Sequence, residues 1–583
     1  MTLANTAETA KIQLKTAVTA AIEALTAKGD LPAGELRDFN IEVPADRKNG
    51  DFSANVAMVN AKVFRMPPAK AAAMIVEAMD LDGTYFTRAE VAGPGFMNFY
   101  LNDRYYADIL LDIAAEGDAY GRSDYGQGKK VNVEFVSANP TGPIHMGNAR
   151  GGALGDCLAA VLEWAGYDVS REFYINDAGN QIEKFALSLD VRYRQHFEGE
   201  DAVPLPEDSY HGKDIVELAE AFIAETGEQY KDASEEERRK ALVDYALPKN
   251  IAGMQAAMDK YRIHYDTWFY ESTLHESGQV METIDELTKK GLTYEQDGAL
   301  WYKNIDVQTD ILRKAGKSQK DIDKLELKDD VLIRANGNPT YFAADIAYHR
   351  NKLVVRGFDK AVDVWGADHH GHVARMKGAL EALGIGGDKL DVVLMQLVKL
   401  TSDGEPVKIS KRTGNAITLV DLLDDIPIDA SRFLFNTREA GSEMEFDMDL
   451  AIEQSAQNPV YYCQYAHARI CSILRKMEEE GKTFEGATAD ELVLLKESEE
   501  RELIRHLSNL PAEVITAADH YDPARMTRYC TELATLFHKF YNACRVNVED
   551  EALSRARLFL CMCVKTTLAN VLTMLKVSVP ERM

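Results

Sequence analysis

The sequence has little that would support a metal-bound, disulfide-linked or membrane-embedded fold. Its seven cysteines are an odd number with no CxxC pair, and Cys561 and Cys563 lack the further ligands that a zinc site requires. No apolar run approaches the roughly 20 residues of a membrane helix, and the amphipathic start of the chain has no cleavable signal pattern. We therefore expect a cytoplasmic protein with reduced thiols, no intrinsic metal and no membrane partner.

Basic residues are also scarce, with 66 Lys and Arg against 94 Asp and Glu, a formal net charge of −28. This excess of acid opposes a polyanionic partner at long range, so any nucleic acid would have to be bound by local basic surfaces and by shape. The length of 583 residues and the 46% hydrophobic content are sufficient for three or four domains. No internal repeat or low-complexity tract is present.

The stretch KVNVEFVSANPTGPIHMGNARGGALGD has the pattern of a nucleotide site between a strand and a helix. A β-branched run at 131–136 is followed by turn residues at 139–143 and a helical pattern from Ala149 to Tyr167. A helix N-terminus attracts phosphate, and glycines allow a ligand close to the backbone. The alternative is an ordinary helix start. The ATP-binding candidates here are Pro143, His145, Gly147 and Asn148.

A second motif lies downstream in the sequence VKISKRTGN, which places two lysines and a serine in a polar, glycine-bearing loop. Lysine is a compact, flexible charge, so Lys408 and Lys411 suit a departing pyrophosphate, with Ser410 as a further ATP-binding candidate. The alternative is a solvated basic loop. The occurrence of both motifs in this order favours ATP chemistry.

HMGN and KISKR resemble the HIGH and KMSKS signatures of class I aminoacyl-tRNA synthetases. The resemblance to the arginyl-tRNA synthetase family covers nearly the whole chain. It is carried by VEFVSANPTGPIHMGNARGGALGD, YINDAGNQI, NPTYFAADIAYHRNK, WGADHHGHVARMKGAL, GPGFMNFYL and the terminal SVPERM. Asn148 replaces the second histidine of HIGH, and Arg412 replaces the last serine of KMSKS. Asparagine still donates a hydrogen bond and both lysines remain, so the main chemistry is retained.

Composition divides the chain into three regions, which the resemblance interprets as domains. Apolar runs alternate with helical patterns in the middle region and indicate a parallel sheet, with later strands at 362–365 and 392–395. The last region is helical and has no glycine after Gly486. We predict a multi-domain α/β protein with a small α/β N-terminal domain that contacts tRNA (1–115), a Rossmann-type class I catalytic domain (126–446) with an insertion at about 201–331, and an all-α anticodon-binding bundle (457–583). The alternative for the N-terminal domain is a packing role without tRNA contact.

Recognition of arginine requires carboxylates, because the planar guanidinium group is best met by bidentate acidic side chains. Asp345 is the first candidate and lies four residues after Tyr341, so both would share one face of a helix. The resemblance assigns this Tyr and Asp to the substrate. Glu271 is a second carboxylate, with a surface position in the insertion as the alternative.

Polar residues at the carboxyl end of the first strand complete the predicted amino-acid site, since ligands of open α/β sheets bind there. The resemblance assigns them to the backbone groups of the substrate and places two later histidines beside the substrate and adenine. Three histidines at 369–372 also suggest a metal, but no cysteine or spaced carboxylate set completes that shell. We expect Mg²⁺ only with ATP. The remaining arginine-site candidates are Glu134, Ser137, Asn139, His145 and His369, and His372 is a further ATP-binding candidate.

The C-terminal region contains candidates for contact with tRNA. Aromatic rings can stack on splayed bases while arginine holds phosphates or base edges. The alternative for any one tyrosine is a place in the bundle core. The candidates are Tyr461, Tyr465, Arg469, Arg555 and Arg557.

The predicted activity is ATP-dependent ligation of L-arginine to tRNA(Arg) through an arginyl-adenylate, with His145, Asn148, Lys408 and Lys411 as the catalytic residues. The resemblance adds that tRNA is often required even for activation. Two alternatives are a small nucleotidyltransferase, which would not need the helical bundle, and a non-catalytic tRNA-binding paralogue, which would have lost His145, Lys411 or the substrate carboxylate. The oligomeric state has no signal in the sequence, and we expect a monomer.

Overall fold

The N-terminal region is built on a four-stranded antiparallel sheet in the order β1-β2-β4-β3. The protein is described here by a computed structural model that covers residues 5–44, 46–407, 417–480 and 486–583. The strands are β1 (Ile41–Glu42), β2 (Phe52–Ala54), β3 (Phe86–Ala92) and β4 (Phe96–Leu101), and the helices are α1 (Thr6–Lys28), α2 (Val56–Val59), α3 (Ala61–Phe64) and α4 (Pro68–Ala78).

One glycine fixes the entry into this sheet. Gly50 has a φ of 88°, and a Cβ there would lie 2.8 Å from the Phe99 carbonyl oxygen. Only glycine adopts this conformation without strain and leaves room for the neighbouring strand. Behind the sheet, Phe86 packs edge-to-face against Phe52 and Phe99, with ring centroids 5.8 and 6.0 Å away. The helix α5 (Asp103–Glu116) leads out of this domain.

The middle region is built on a five-stranded parallel sheet in the order β12-β11-β5-β6-β7. Its central strands β5 and β11 carry the buried valines Val131, Val133 and Val362, as is typical of a parallel sheet covered by helices. The predicted strands at 362–365 and 392–395 are confirmed as parts of β11 and β12. The strands are β5 (Lys130–Glu134), β6 (Asp168–Ile175), β7 (Thr267–Tyr270), β11 (Lys360–Gly366) and β12 (Leu390–Met395).

Helices and two small sheets surround the parallel sheet. The sheet β10-β9-β8 is antiparallel, whereas β13 pairs antiparallel with β14 and parallel with β15. The helices are α6 (Asn148–Trp164), α7 (Asn180–Glu198), α8 (Lys213–Thr226), α9 (Glu235–Lys260), α10 (Ser272–Glu276), α11 (Gln279–Lys289), α12 (Asn304–Lys314), α13 (Gln319–Asp323), α14 (Tyr341–Arg350), α15 (His370–Leu383), α16 (Leu419–Asp425), α17 (Ile428–Phe435) and α18 (Met448–Ile452). The strands are β8 (Thr293–Gln296), β9 (Ala299–Tyr302), β10 (Asp330–Ile333), β13 (Val398–Ser402), β14 (Glu405–Pro406) and β15 (Met444–Asp447).

The predicted insertion at about 201–331 is not one continuous segment. Strand β7 lies within that range and pairs in parallel with β6, so it belongs to the catalytic sheet. The range is thereby divided into a helical part before β7, which packs with α7 around Phe185 and Phe222, and an α/β part after it. A four-residue apolar run between long helical patterns is too short for its strand partner to be predicted from the sequence.

The C-terminal region is a helical bundle that ends with the helix α24 (Glu551–Met574). Within the described residues, α24 alone is long and apolar enough for a membrane span, but 72% of that apolar window is buried inside the protein. Its burial is that of a core helix. The bundle helices are α19 (Pro459–Glu479), α20 (Ala489–Leu492), α21 (Ser498–Ser508), α22 (Leu510–Asp519), α23 (Ala524–Ala543) and α24 (Glu551–Met574).

Helix α6 lies unusually close to the sheet because of its glycines. A Cβ at Gly155 would lie 2.2 Å from Phe135 Cγ, whereas a Cβ at Gly151 would meet only the flexible end of Met395 at 3.4 Å. Arg150 of the same helix is fully buried and donates to the carbonyl oxygens of Gln396, Glu439 and Ser442 at 2.8–2.9 Å. These contacts fasten the start of α6 to the end of β12.

Gly155→Ala tests this close approach. We expect it to lower the free energy of unfolding by about 1–3 kcal/mol or more, because overpacking outweighs the better helix propensity of alanine. Gly151→Ala is the matched control in the same helix and should lie within about 1 kcal/mol of the parent. Thermal unfolding of both variants measures the effect, and equal midpoints would contradict it.

Candidate functional site

The HMGN loop connects β5 to α6 and is held by the chain that follows the KISKR motif. Met146 N donates to Ile417 O at 3.0 Å, and Leu419 N donates to Ile144 O at 2.8 Å. His145 and Thr418 form the antiparallel bridge between these segments. The predicted residues Lys408, Ser410, Lys411 and Arg412 lie outside the described residues. The chain at 417–419, beyond the KISKR motif, is nevertheless joined to the HMGN loop, although the two are far apart in sequence.

The His145 ring has one nitrogen directed to the protein and one available to a ligand. Its Nδ1 accepts a hydrogen bond from the Gly147 N–H at 3.1 Å, so the proton of the neutral ring lies on Nε2. Partial burial lowers the pKa of His145, which favours the neutral form at physiological pH. Pro143 and Gly147 are exposed and Asn148 is half-buried at the start of α6. The loop therefore presents hydrogen-bond donors at the positive end of a helix.

The carboxyl end of β5 has a constrained backbone. Val136 and Ser137 have φ angles of 72° and 41°, a region that a β-branched residue rarely occupies and that is common at functional sites. Ser137 Oγ donates to Glu134 Oε1 at 2.8 Å and accepts from Tyr174 N at 3.1 Å. Asn139 is exposed beyond them. Glu134 and Ser137 thus form one hydrogen-bonded pair at the sheet edge.

Glu271 lies in a different place from the expected insertion. It follows β7 directly, is only 4% exposed, and accepts a hydrogen bond from the Tyr174 hydroxyl at 2.7 Å. Burial, followed by the negative charge of Asp345, raises the pKa of Glu271. A buried carboxylate with a second negative charge nearby is a site that favours a cationic group.

Asp345 and Tyr341 share helix α14, as their spacing predicts. Asp345 Oδ2 lies 3.1 Å from His372 Nε2, and the His372 ring packs against Trp365 with centroids 5.5 Å apart. Because its Nε2 faces Asp345, His372 is placed beside the predicted arginine site. His369 also packs near Trp365, with ring centroids 6.4 Å apart, and its side chain is 60% exposed.

Tyr174 contributes to this site but was not among the predicted residues. Its hydroxyl donates to Glu271 and its backbone N–H donates to Ser137 Oγ. Its ring packs against Tyr348, with centroids 4.4 Å apart. The signal available in the sequence was its position in the YINDAGNQI segment at the end of a strand. Parallel strands carry their carboxyl ends to one edge, which brings these residues together.

The bundle carries a surface cluster of aromatic residues. The Tyr461 and Tyr465 rings are nearly parallel, at 5° with centroids 6.4 Å apart, and Tyr465 is 40% exposed. Arg469 lies 4.3 Å from the centroid of the Tyr541 ring. We call Tyr461, Tyr462, Tyr465, Arg469 and His538 the aromatic cluster; it lines a cavity of about 430 Å³.

His538 is a member of this cluster that the sequence did not reveal. Both ring nitrogens are buried without a hydrogen-bond partner among the described residues. Burial, assisted by the charge of Arg469, lowers the pKa of His538 to about 4, so the ring is neutral near pH 7. A neutral ring with two unsatisfied nitrogens offers one donor and one acceptor to a ligand.

Arg557 is not part of a nucleic-acid surface, which corrects its prediction as a tRNA contact. It is 8% exposed, and its Nε donates to Glu500 Oε1 at 2.7 Å. Glu500 is fully buried, so the pair is internal to the bundle. Arg555 is more exposed and is paired with Glu491 at 2.6 Å. The spacing of Arg555 and Arg557 along the helix does not show whether either side chain points to solvent or into the bundle. That depends on the position of the acidic partner.

Arg557→Met should destabilise the bundle by about 3–5 kcal/mol, because it leaves the buried Glu500 without its partner. The control Arg555→Met removes a half-exposed pair and should cost less than about 1 kcal/mol. Thermal unfolding followed by circular dichroism measures both. Equal, small shifts would show that Arg557 does not hold the bundle.

Comparison with known proteins places this architecture in a family. Family models match three consecutive regions: "Arginyl tRNA synthetase N terminal domain" at 12–101, "tRNA synthetases class I (R), catalytic domain" at 111–474 and "DALR anticodon binding domain" at 463–583. The chain is 50% identical over 581 residues to the arginine--tRNA ligase of Acetivibrio thermocellus, with all of both chains covered. It is 52% identical to that of Caldanaerobacter subterraneus subsp. tengcongensis, covering 99% of this chain and 100% of the relative.

A solved structure shows the same fold at lower identity. Thermus thermophilus arginyl-tRNA synthetase matches with a TM-score of 0.72 and 21% identity, covering 98% of this chain and 99% of that one. The match of three family models over nearly the full length, together with relatives at about half identity, is sufficient to assign the family. The chain belongs to the arginyl-tRNA synthetase family of class I aminoacyl-tRNA synthetases.

Proposed function

We infer that the protein ligates L-arginine to tRNA(Arg) at the expense of ATP, with AMP and pyrophosphate as products. The observation that carries this inference is the buried carboxylate of Glu271 at the end of β7, which accepts a hydrogen bond from Tyr174 and lies within the influence of the negative charge of Asp345 on α14. Two carboxylates in a partly buried site match the planar fork of a guanidinium group and disfavour uncharged side chains. Tyr341, one turn before Asp345, would pack on the same substrate group.

The reaction proceeds in two displacements. The arginine carboxylate attacks the α-phosphorus of ATP, forming arginyl-adenylate as the bond to pyrophosphate breaks. A hydroxyl of the terminal ribose of tRNA then attacks the activated carbonyl carbon, loses its proton, and AMP departs. No protein nucleophile is required, so the rate depends on positioning and on stabilisation of charge.

We propose that the HMGN and KISKR motifs supply that stabilisation. The Nε2–H of neutral His145 and the side chain of Asn148 would donate to phosphate oxygens at the positive end of α6. Lys408 and Lys411 would balance the charge of the departing pyrophosphate, with Ser410 as a hydrogen-bond donor. Mg²⁺ would enter as part of the ATP complex rather than as a resident ion.

We further propose that the enzyme acts as a cytoplasmic monomer with no membrane partner. Supporting the absence of a membrane partner, the apolar window of α24 is mostly buried inside the protein. Aminoacylation of bulk tRNA with labelled arginine, in parallel with each other amino acid, tests the main function. Arginine-only charging that depends on ATP is expected. Folded protein that binds tRNA and charges nothing would instead indicate a non-catalytic paralogue.

Asp345→Asn should reduce kcat/KM for arginine about hundredfold, because a charge-assisted contact to the guanidinium group is lost. The KM for ATP should change little. Asp285→Asn, which neutralises an exposed carboxylate on the neighbouring helix α11, is the control and should leave both constants within about twofold. Equal effects of the two variants would remove Asp345 from the substrate site.

Tyr465→Ala should raise the KM for tRNA about tenfold, because base stacking on an aromatic ring contributes on the order of 1–3 kcal/mol. The KM for arginine should stay unchanged. Arg525→Met in the same bundle is the control, since its guanidinium is paired with Glu513 and it is not among the predicted tRNA contacts. Steady-state charging with tRNA as the varied substrate distinguishes the two variants.

A further inference from the structure

Three carboxylates lie side by side across the middle of the catalytic sheet. Glu134 of β5 is in register with Glu172 of β6 on one side and with Asp363 of β11 on the other. Side chains in register on adjacent parallel strands point to the same face, with strands about 4.8 Å apart. All three are buried, and we call them the acidic row. Like charges so placed repel one another unless bases neutralise them.

The neutralising groups come from one segment, the end of α14 and the turn after it. Lys352 Nζ lies 2.5 Å from Glu134 Oε2 and 3.0 Å from Asp363 Oδ1. His349 Nε2 lies 2.7 Å from Asp363 Oδ2, and Arg356 pairs with Glu172. Lys352 is therefore the one of these three bases that contacts Glu134.

The burial of Lys352 depends on an unusual helix turn. Residues Asn351–Val355 form a π-helix, a form that often occurs at functional sites. In this turn Lys352 is fully buried, whereas Val354 and Val355 are 52% and 57% exposed. Burial of a lysine with exposure of two valines reverses the usual preference. Hydrophobic burial therefore does not explain why Lys352 points inward. Its ion pairs with the acidic row do.

Glu134 is connected both to Lys352 and to the substrate edge. One carboxylate oxygen faces Lys352, and the other accepts the hydrogen bond from Ser137 at 2.8 Å. A carboxylate has about four acceptor positions, so Glu134 can still receive a further donor. We propose that Lys352 is a positioning residue of the arginine site: its ammonium group holds Glu134 as a carboxylate beside Ser137, where the pair receives the α-ammonium group of arginine. The inference rests on the proposed arginine ligation and deepens it.

The charges around Glu134 determine the consequence of losing Lys352. Burial raises the pKa of Glu134, and the positive charge of Lys352 is the leading influence that opposes this rise. Without Lys352, burial and the repulsion from Asp363 would act with little opposition, and the pKa of Glu134 would rise further. The other titratable groups facing Glu134 are His349, Tyr348 and Arg356 on one side, Glu172 and Tyr174 on β6, and Tyr265 before β7.

In the Lys352→Met variant, the KM for arginine should depend on pH. In Lys352→Met, Glu134 is protonated at low pH and cannot bind an ammonium group. As the pH rises through the raised pKa of Glu134, the carboxylate returns and the KM for arginine falls. A purely structural defect would not produce this recovery.

The experiment measures charging of tRNA over a range of arginine concentrations for the parent, Lys352→Met, Arg356→Met and Glu134→Gln. Arg356→Met is the matched control, because Arg356 neutralises the acidic row through its pair with Glu172 and makes no direct ion pair with Glu134. At neutral pH we expect Lys352→Met to raise the KM for arginine about tenfold to hundredfold. Arg356→Met should lower the Tm comparably but keep this KM within about threefold.

The pH profile separates the two variants that affect Glu134. From about pH 6.5 to about pH 8.5, the KM of Lys352→Met relative to Arg356→Met should fall. For Glu134→Gln the KM for arginine should stay high over the whole pH range, since an amide does not ionise. If Lys352→Met gives no folded protein, Lys352→Gln, which keeps an N–H donor but no charge, makes the same comparison.

Two outcomes would overturn the proposal, and they are distinguishable. If the parent charges arginine but Lys352→Met and Arg356→Met raise the KM equally, or the defect of Lys352→Met does not vary with pH, the role of Lys352 is wrong and the arginine ligation stands. If the parent does not charge tRNA with arginine, the proposed function and the role of Lys352 are both wrong.

Discussion

Three buried carboxylates on adjacent strands form the constraint on which the active site depends. Glu172, Glu134 and Asp363 cannot share one face of the sheet in the charged state unless Lys352, Arg356 and His349 dock against them. Burial opposes the charged form of His349, but the carboxylate of Asp363 outweighs it and raises the pKa of the ring. The charges can therefore balance without solvent. Because the bases lie on one continuous segment, the docking also fixes α14.

The position of α14 determines that of the predicted substrate residues. Tyr341 and Asp345 lie on this helix just before His349, so its attachment to the sheet sets their distance from Glu271 at the end of β7. Stability and recognition are thus linked, because a change that releases the helix also displaces a carboxylate of the site. The cost is a set of buried charges, each of which destabilises the fold when its partner is removed.

A second link joins the HMGN loop to the chain beyond the KISKR motif. The bridge between His145 and Thr418 places that chain against the HMGN loop, and Arg150 ties the first turns of α6 to the end of β12. Both links use backbone carbonyl or N–H groups, which are the same for any sequence. The sequence therefore contains the HMGN motif but gives no sign of these contacts.

The sequence by itself determined the architecture, the HMGN and KISKR motifs and the sharing of α14 by Tyr341 and Asp345, because each depends on spacing along the chain. Tertiary structure alone decided which candidates are accessible and which are buried. Glu271 belongs to the catalytic sheet rather than to the expected insertion, because the short strand β7 that precedes it pairs with β6. Arg557 points into the bundle because it pairs with Glu500, which lies on another helix. The roles of Tyr174, His538 and Lys352 likewise depend on groups distant in sequence, whose positions only the folded sheet and bundle define.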